Sequence, residues 1–339
     1  MSAAGVRHAP SAESGMAESW SGLGKETHMI RAKMGVVGRR FGVLPLGLAL
    51  AAVAAAGCGQ GPSPEGSTAA GSEFVIQQCG SDTMVNLAQM WAAAYPRARP
   101  GVSVEVSGGG SGVGINSLMR GLCTIADASR DMADAEKDQT RKNTGKDPIE
   151  FIVGYDAIAI YAHKDNPIEE ITVEDLAGIY GEGGGITKWS QLGVTLPGSD
   201  QIVCVSRQNS SGTFAFFREH VLAKKDFRLG MQSMSGSKDV VDLVGKTLGA
   251  IGYSGMGYKT DAVKFVKVAA KKGETAYAPT LENVRAKHYA LARSLNLYTL
   301  GQPEGEVKAY IDWVLSPAGQ AIVEEAGYIP ADVVQGGKP

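Results

Sequence analysis

Cysteine and histidine are scarce, at 4 and 5 of 339 residues. Four cysteines are too few for a disulfide scaffold, and none has the spacing of a metal site. An excess of one charge is also missing. Lys and Arg total 33 against 35 Asp and Glu, a net charge of −2, which excludes a general nucleic-acid binder resting on a basic surplus. The apolar run from Phe41 to Ala56, about 16 residues, falls short of the roughly 20 that span a bilayer. The usual nucleotide and hydrolase signatures are absent too. No register gives G-x-G-x-x-G, Gly245-Lys246-Thr247 lacks the glycine five residues earlier, and Val113 stands where a nucleophile elbow at Ser111 needs glycine. No fixed-period repeat occurs. Against these shortages stands glycine, with 45 residues, about 13% where roughly 7% is usual. The 44% hydrophobic fraction is that of a globular protein, and the length suits two domains.

The first part of the chain reads as an address. Residues 1–33 are polar and aperiodic, so translation starting at Met34 would lose nothing the fold needs. Arg39-Arg40, the apolar run and Ala55-Ala56-Gly57-Cys58 then form a secretory leader over 34–57. Small residues before cysteine resemble a bacterial lipobox, with Ala55 in place of the usual leucine and Cys58 as the lipid-bearing mature N-terminus. The alternative is ordinary cleavage near Ala56, which would leave Cys58 a plain thiol. Residues 58–73 are a flexible tether by composition. Beyond Cys58 lie Cys79, Cys123 and Cys204. Three is odd, so at least one stays unpaired within the chain.

From Phe74 strands and helices alternate. Strand patterns cover Phe74 to Cys79, Val102 to Val106, Thr124 to Ala128, Ile149 to Tyr161, Ile202 to Ser206, Ala250 to Ser254, Val263 to Val268 and Leu295 to Thr299. Helical patterns cover Val85 to Tyr95, Val113 to Arg120, Val173 to Tyr180, Gly212 to Leu222, Val240 to Leu248 and Glu304 to Leu315. Pro96 and Pro100 should stop the first helix. This order predicts an α/β fold with a largely parallel sheet. Three strand-to-helix junctions carry small polar residues: Gly80-Ser81-Asp82-Thr83, Gly108-Gly109-Gly110-Ser111-Gly112 and Arg207-Gln208-Asn209-Ser210-Ser211-Gly212-Thr213. A fourth is Ala128-Ser129-Arg130. Such junctions gather at the carboxyl ends of parallel strands, where ligands bind. Free N–H groups at helix starts, together with hydroxyls and arginines, favour an anion. One junction alone would be an ordinary cap; four are a binding edge.

The runs GSDTMVNLAQMWAAAYP, VSGGGSGVGINSLMRG, IADASRDM, SRQNSSGTFAFFREHVL and LGAIGYSGMGY resemble, in order and spacing, the PstS-type phosphate-binding lipoproteins of bacterial ABC importers. The resemblance covers about 74 to 330, and Arg207 to Thr213 is its most specific piece. It implies a two-lobed periplasmic-binding-protein (type II) fold, each lobe a mixed sheet flanked by helices. Lobe one would comprise 74–158 plus 260–335, lobe two 159–259. It implies no catalysis, cofactor or metal; the partners would be inorganic phosphate and the permease and ATPase subunits of an importer. The protein would act as an exported, lipid-anchored monomer. By position, Ser81, Asp82, Thr83, Ser111 and Gly112 would bind phosphate from one side. Arg207, Ser210, Ser211, Gly212 and Thr213 would bind from the other. Many members carry Asp where Arg130 follows Ala128-Ser129 here. Asp82 is therefore expected to accept the ligand's proton and reject sulfate, with Ser129 and Arg130 as further contacts. The rivals are the same fold tuned to another oxyanion or phosphorylated compound, favoured if Arg130 lines the cleft, and a hydrolase using Ser111 or Ser211.

Overall fold

The computed structural model describes residues 74–331. The expected leader, Cys58 and the tether lie outside the described residues. Strand β1 (Phe74–Gly80) buries its C-terminal half and runs straight into the Ser81–Met84 junction before α1 (Val85–Ala98). Leu87, Ala88, Trp91 and Tyr95 form the buried stripe of α1, at helical spacing. The helix does not stop at Pro96. It runs on to Ala98, because a proline in the last turn costs only one ladder bond and Arg99 N still closes on Tyr95 O at 2.9 Å. Next come β2 (Val102–Ser107), α2 (Ser111–Met119), β3 (Ile125–Ala128) and α3 (Asp134–Thr144). Helix α2 starts two residues earlier than its apolar pattern predicts, since Gly110 at φ +100° turns the chain directly into it. Helix α3 buries only Thr140 and has no apolar stripe to announce it. Its ends define it: Glu136 caps the Ala133 N–H at 2.9 Å, and Gly145 closes it in the left-handed region.

Strand β4 (Pro148–His163) is the spine of the molecule. After it the chain forms β5 (Glu170–Thr172), α4 (Val173–Tyr180), β6 (Val203–Arg207), α5 (Gly212–His220), β7 (Gln232–Met234), α6 (Ser237–Lys246), β8 (Ala250–Gly255) and β9 (Val263–Ala269). It closes with α7 (Leu281–Arg285), β10 (Ala292–Leu300), α8 (Gly305–Val314), α9 (Pro317–Glu325) and β11 (Ile329–Pro330). Thr172 caps α4, its Oγ1 accepting from Asp175 N at 3.0 Å.

The sheet is mixed rather than largely parallel. β1 pairs in parallel with β2 and β3, and β6 with β7 and β8, but β10 is antiparallel to both β3 and β4. The N-terminal part of β4 pairs with β10 from Leu300↔Pro148 to Ala292↔Ala157. Its C-terminal part pairs with β8 from Ile158↔Gly255 to Ala162↔Ile251. One extended strand thus belongs to two sheets. The strand at Val263, expected to rejoin the first sheet, does not do so. β9 pairs with Ile160 to His163 of β4 and with β5, taking the edge of β4 that β10 leaves past Ala157. An apolar strand edge left open there would cost its backbone hydrogen bonds. The chain returns to the first sheet at β10.

Trp91, Tyr95, Tyr310 and Ile76 fill one core, and Tyr180, Phe217 and Tyr253 another. Edge-on and stacked ring contacts of 4.9 Å (Tyr95–Tyr310) and 3.9 Å (Phe217–Tyr253) lock both. Cys79, Cys123 and Cys204 are free and buried. These cores hold the carboxyl ends of β1, β3 and β6 against one another. Because β10 is antiparallel to β3, its first residues arrive at that same edge.

Candidate functional site

The four junctions converge. Ser81, Thr83, Ser111, Ser129, Arg207, Ser211 and Thr213 are all buried. Ser81 Oγ donates to Ser129 Oγ at 2.9 Å, and Ser111 Oγ lies 3.3 Å from the same atom while accepting from Ser129 N at 3.1 Å. Across from them, Thr213 Oγ1 meets Thr83 Oγ1 at 2.9 Å. Ser211 caps α5, its hydroxyl oxygen accepting from Thr213 N at 3.1 Å. The glycines make this approach possible. A Cβ on Gly212 would stand 2.4 Å from Ser111 Oγ and 2.7 Å from Ser129 Oγ. One on Gly110 would stand 2.5 Å from Ser210 O. The glycine tract is therefore a docking surface for the 207–213 segment as well as the start of α2. Gly112 N donates to Ser210 O at 2.9 Å, and Ser210 Oγ donates to Gly109 O at 3.0 Å.

Two arginines enter the cluster. Arg207 is buried and held by Ser237 Oγ (2.9 Å), Ser235 O (2.9 Å) and Asp82 Oδ2 (3.2 Å). Its Nε has no hydrogen-bond partner among the described residues. Burial pulls its guanidinium below the ordinary arginine range, and Asp82 opposes that pull. Asp82 keeps 14% of its side chain exposed and also accepts from Gly109 N at 2.8 Å. Tyr258 and Tyr328 fix the junction from behind, donating to Asp82 O at 2.8 Å and Thr83 O at 2.6 Å. The second cation is Arg293, which the sequence reading missed. It is buried and donates to Thr213 Oγ1 at 2.9 Å, Thr83 Oγ1 at 3.3 Å and Ser129 O at 2.9 Å. Its counter-charge is Asp156, whose carboxyl burial raises above the usual range despite Arg293.

Arg130 does not join the cluster. Both terminal nitrogens of its guanidinium donate to Glu136, each at 2.8 Å, and Nη1 also reaches Asp131 O at 2.9 Å. Arg130 thus anchors the start of α3, because a bidentate carboxylate satisfies a guanidinium better than a distant anion does. Arg130 therefore makes no hydrogen bond to the hydroxyl cluster, although it lines a cavity together with Phe216, His220 and Arg293. Neither serine of the hydrolase rival bonds to histidine. Among the described residues, His220 bonds Phe216 O, His163 lies by Asp165 and His288 stacks on Tyr277.

Two sheets sharing a strand, with helix starts and buried arginines meeting between them, define a two-lobed solute-binding protein. Comparison with known proteins agrees. The "PBP superfamily domain" profile matches residues 61–318. The phosphate-binding protein PstS of Pseudomonas aeruginosa is 35% identical over 278 residues, which is 79% of this chain and 86% of that protein. A phosphate-bound substrate-binding protein of a phosphate ABC transporter from Clostridium perfringens superimposes with a TM-score of 0.67 at 32% identity, over 76% of this chain and 99% of the other. An ABC-type phosphate transport receptor from Vibrio cholerae gives 0.60 at 26% identity, over 76% and 99%. The chain belongs to the PBP superfamily, within the PstS-type phosphate-binding proteins, a family of solute receptors rather than enzymes.

Proposed function

We propose that this protein captures inorganic phosphate between its two lobes, outside the cytoplasm, and hands it to an ABC importer. The observation that carries the reading is the convergence of buried hydroxyls at the starts of α2 and α5, with the buried cations Arg207 and Arg293 entering the same cluster. Helix N-termini and a guanidinium held in place supply donors without rearrangement. The proposed contacts are Ser81, Thr83, Ser111, Gly112, Ser129, Arg207, Ser210, Ser211, Gly212 and Thr213. Asp82 is the acceptor for the proton of monohydrogen phosphate. Sulfate brings no proton, so its oxygen would meet the carboxylate lone pairs.

Strand pairing supports a division of lobes at about 157 and 292, later than position 260 on the return. Hinge closure around the anion then presents one surface to the importer's membrane subunits. Cys58 is the proposed lipid attachment, which keeps a monomeric receptor at the membrane, and residues 58–73 are its tether. Titration calorimetry on residues 58–339 tests the function. Tight phosphate binding with no sulfate response is expected, and no phosphate binding would reject it.

A further inference from the structure

Arg293 and Asp156 face each other in the antiparallel register of β10 and β4, at the point where both strands pass between the sheets. Asp156 Oδ2 accepts from Arg293 Nε at 3.0 Å and from Nη2 at 2.8 Å, while its Oδ1 accepts from Met256 N at 3.0 Å. The carboxylate therefore sets the plane of the guanidinium. The remaining N–H groups fan into the cluster: Nη1 to Ser129 O, and Nη2 to Thr213 Oγ1 and Thr83 Oγ1. Those two threonines come from opposite lobes and their oxygens are 2.9 Å apart.

A guanidinium can only donate. A hydroxyl oxygen that accepts from it keeps its own proton to give elsewhere. Between two facing hydroxyls only one proton fits, so at least one O–H remains to point at a ligand. The geometry points to Arg293 as a positioning residue for phosphate capture: it orients the Thr83–Thr213 hydroxyl pair, one from each lobe, so that the O–H not used between them is presented to the anion, and Asp156 holds Arg293. Arg293 performs this without touching the ligand. The inference rests on the phosphate reading above and deepens it.

The test is a double-mutant cycle read by phosphate calorimetry on the mature chain. Arg293→Lys keeps the charge beside Asp156 but loses the planar fork. It should weaken binding about tenfold or more, the usual scale of a charge-assisted hydrogen bond. In a Thr213→Val background, where the hydroxyl is gone, the same change should cost less than about threefold, because coupled residues are non-additive. Equal losses in both backgrounds would mean a general structural effect and overturn the assignment, as would wild-type affinity in Arg293→Lys. If Thr213→Val alone takes binding out of range, Thr83→Val provides the second background with the same two outcomes. A wild-type chain that binds no phosphate overturns the proposed function as well; binding without coupling overturns only the role of Arg293.

Discussion

Asp82 stands between Arg207 and the glycine tract, one carboxylate oxygen 3.2 Å from Arg207 Nη2 and the other 2.8 Å from Gly109 N. It pairs with the buried arginine and, on the phosphate reading proposed above, is the group that accepts the ligand's proton. A dianion entering there is tolerated only if it brings a proton to that carboxylate or is outweighed by donors.

Replacing Asp82 by Ala should therefore narrow the gap between phosphate and sulfate. Competition calorimetry is expected to show sulfate binding that the wild-type chain lacks. Unchanged selectivity would move the acceptor elsewhere.

Gly212→Ala should leave the unliganded protein stable while costing phosphate affinity at least tenfold. The added methyl would sit 2.4 Å from Ser111 Oγ, across the proposed cleft, so the clash is expected to weigh on the closed, ligand-bound form. At the first turn of α5 alanine is otherwise the better helix former, by about 1 kcal/mol. A thermal melt and a titration separate the two effects.

Arg130→Ala should lower stability by about 1–3 kcal/mol and leave phosphate affinity within about twofold of wild type. Its guanidinium holds Glu136 at the head of α3 and makes no hydrogen bond to the hydroxyl cluster. A large loss of affinity with intact stability would restore Arg130 to the ligand set.

Asp127 yields a pH prediction. Burial raises its carboxyl well above the usual range, with Gln78 Nε2, at 2.7 Å, the opposing hydrogen bond. A raised folded-state pKa means the stabilising contribution is full below the unfolded value, about 3.9. It is lost as pH climbs toward the folded one. Asp127→Asn cannot ionise in either state, so its melting temperature should gain on wild type as pH rises from about 4 to 7. The slope limit is about 1.4 kcal/mol per pH unit. A constant offset across that range would mean Asp127 is charged in the folded protein.

Most of the binding edge was legible because each junction is contiguous: Ser81 to Thr83, Gly108 to Gly112 and Arg207 to Thr213 carry their signal within a few residues. Arg293 was not. It opens an ordinary apolar strand, and only the antiparallel return of β10 brings it to Ser129, 164 positions away. Arg130 shows the converse. Its neighbours read as a site, while the carboxylate that engages it lies six residues on, in a helix with no apolar stripe. The alternation of elements was visible, but strand direction was not, since a long apolar run such as β4 carries no mark of which partners take which half.

Strand β4 has a mechanical consequence. On the lobe division proposed above, the chain crosses between the lobes near Ala157 and again near Ala292, and those residues are direct partners across the β4–β10 ladder. Two crossings one strand-spacing apart, about 4.8 Å, define a line. Bodies joined along a short line retain one easy rotation, and sliding or twisting would break the ladder. On that division, opening would be a single-angle motion that returns Thr213 to Thr83 in the same register.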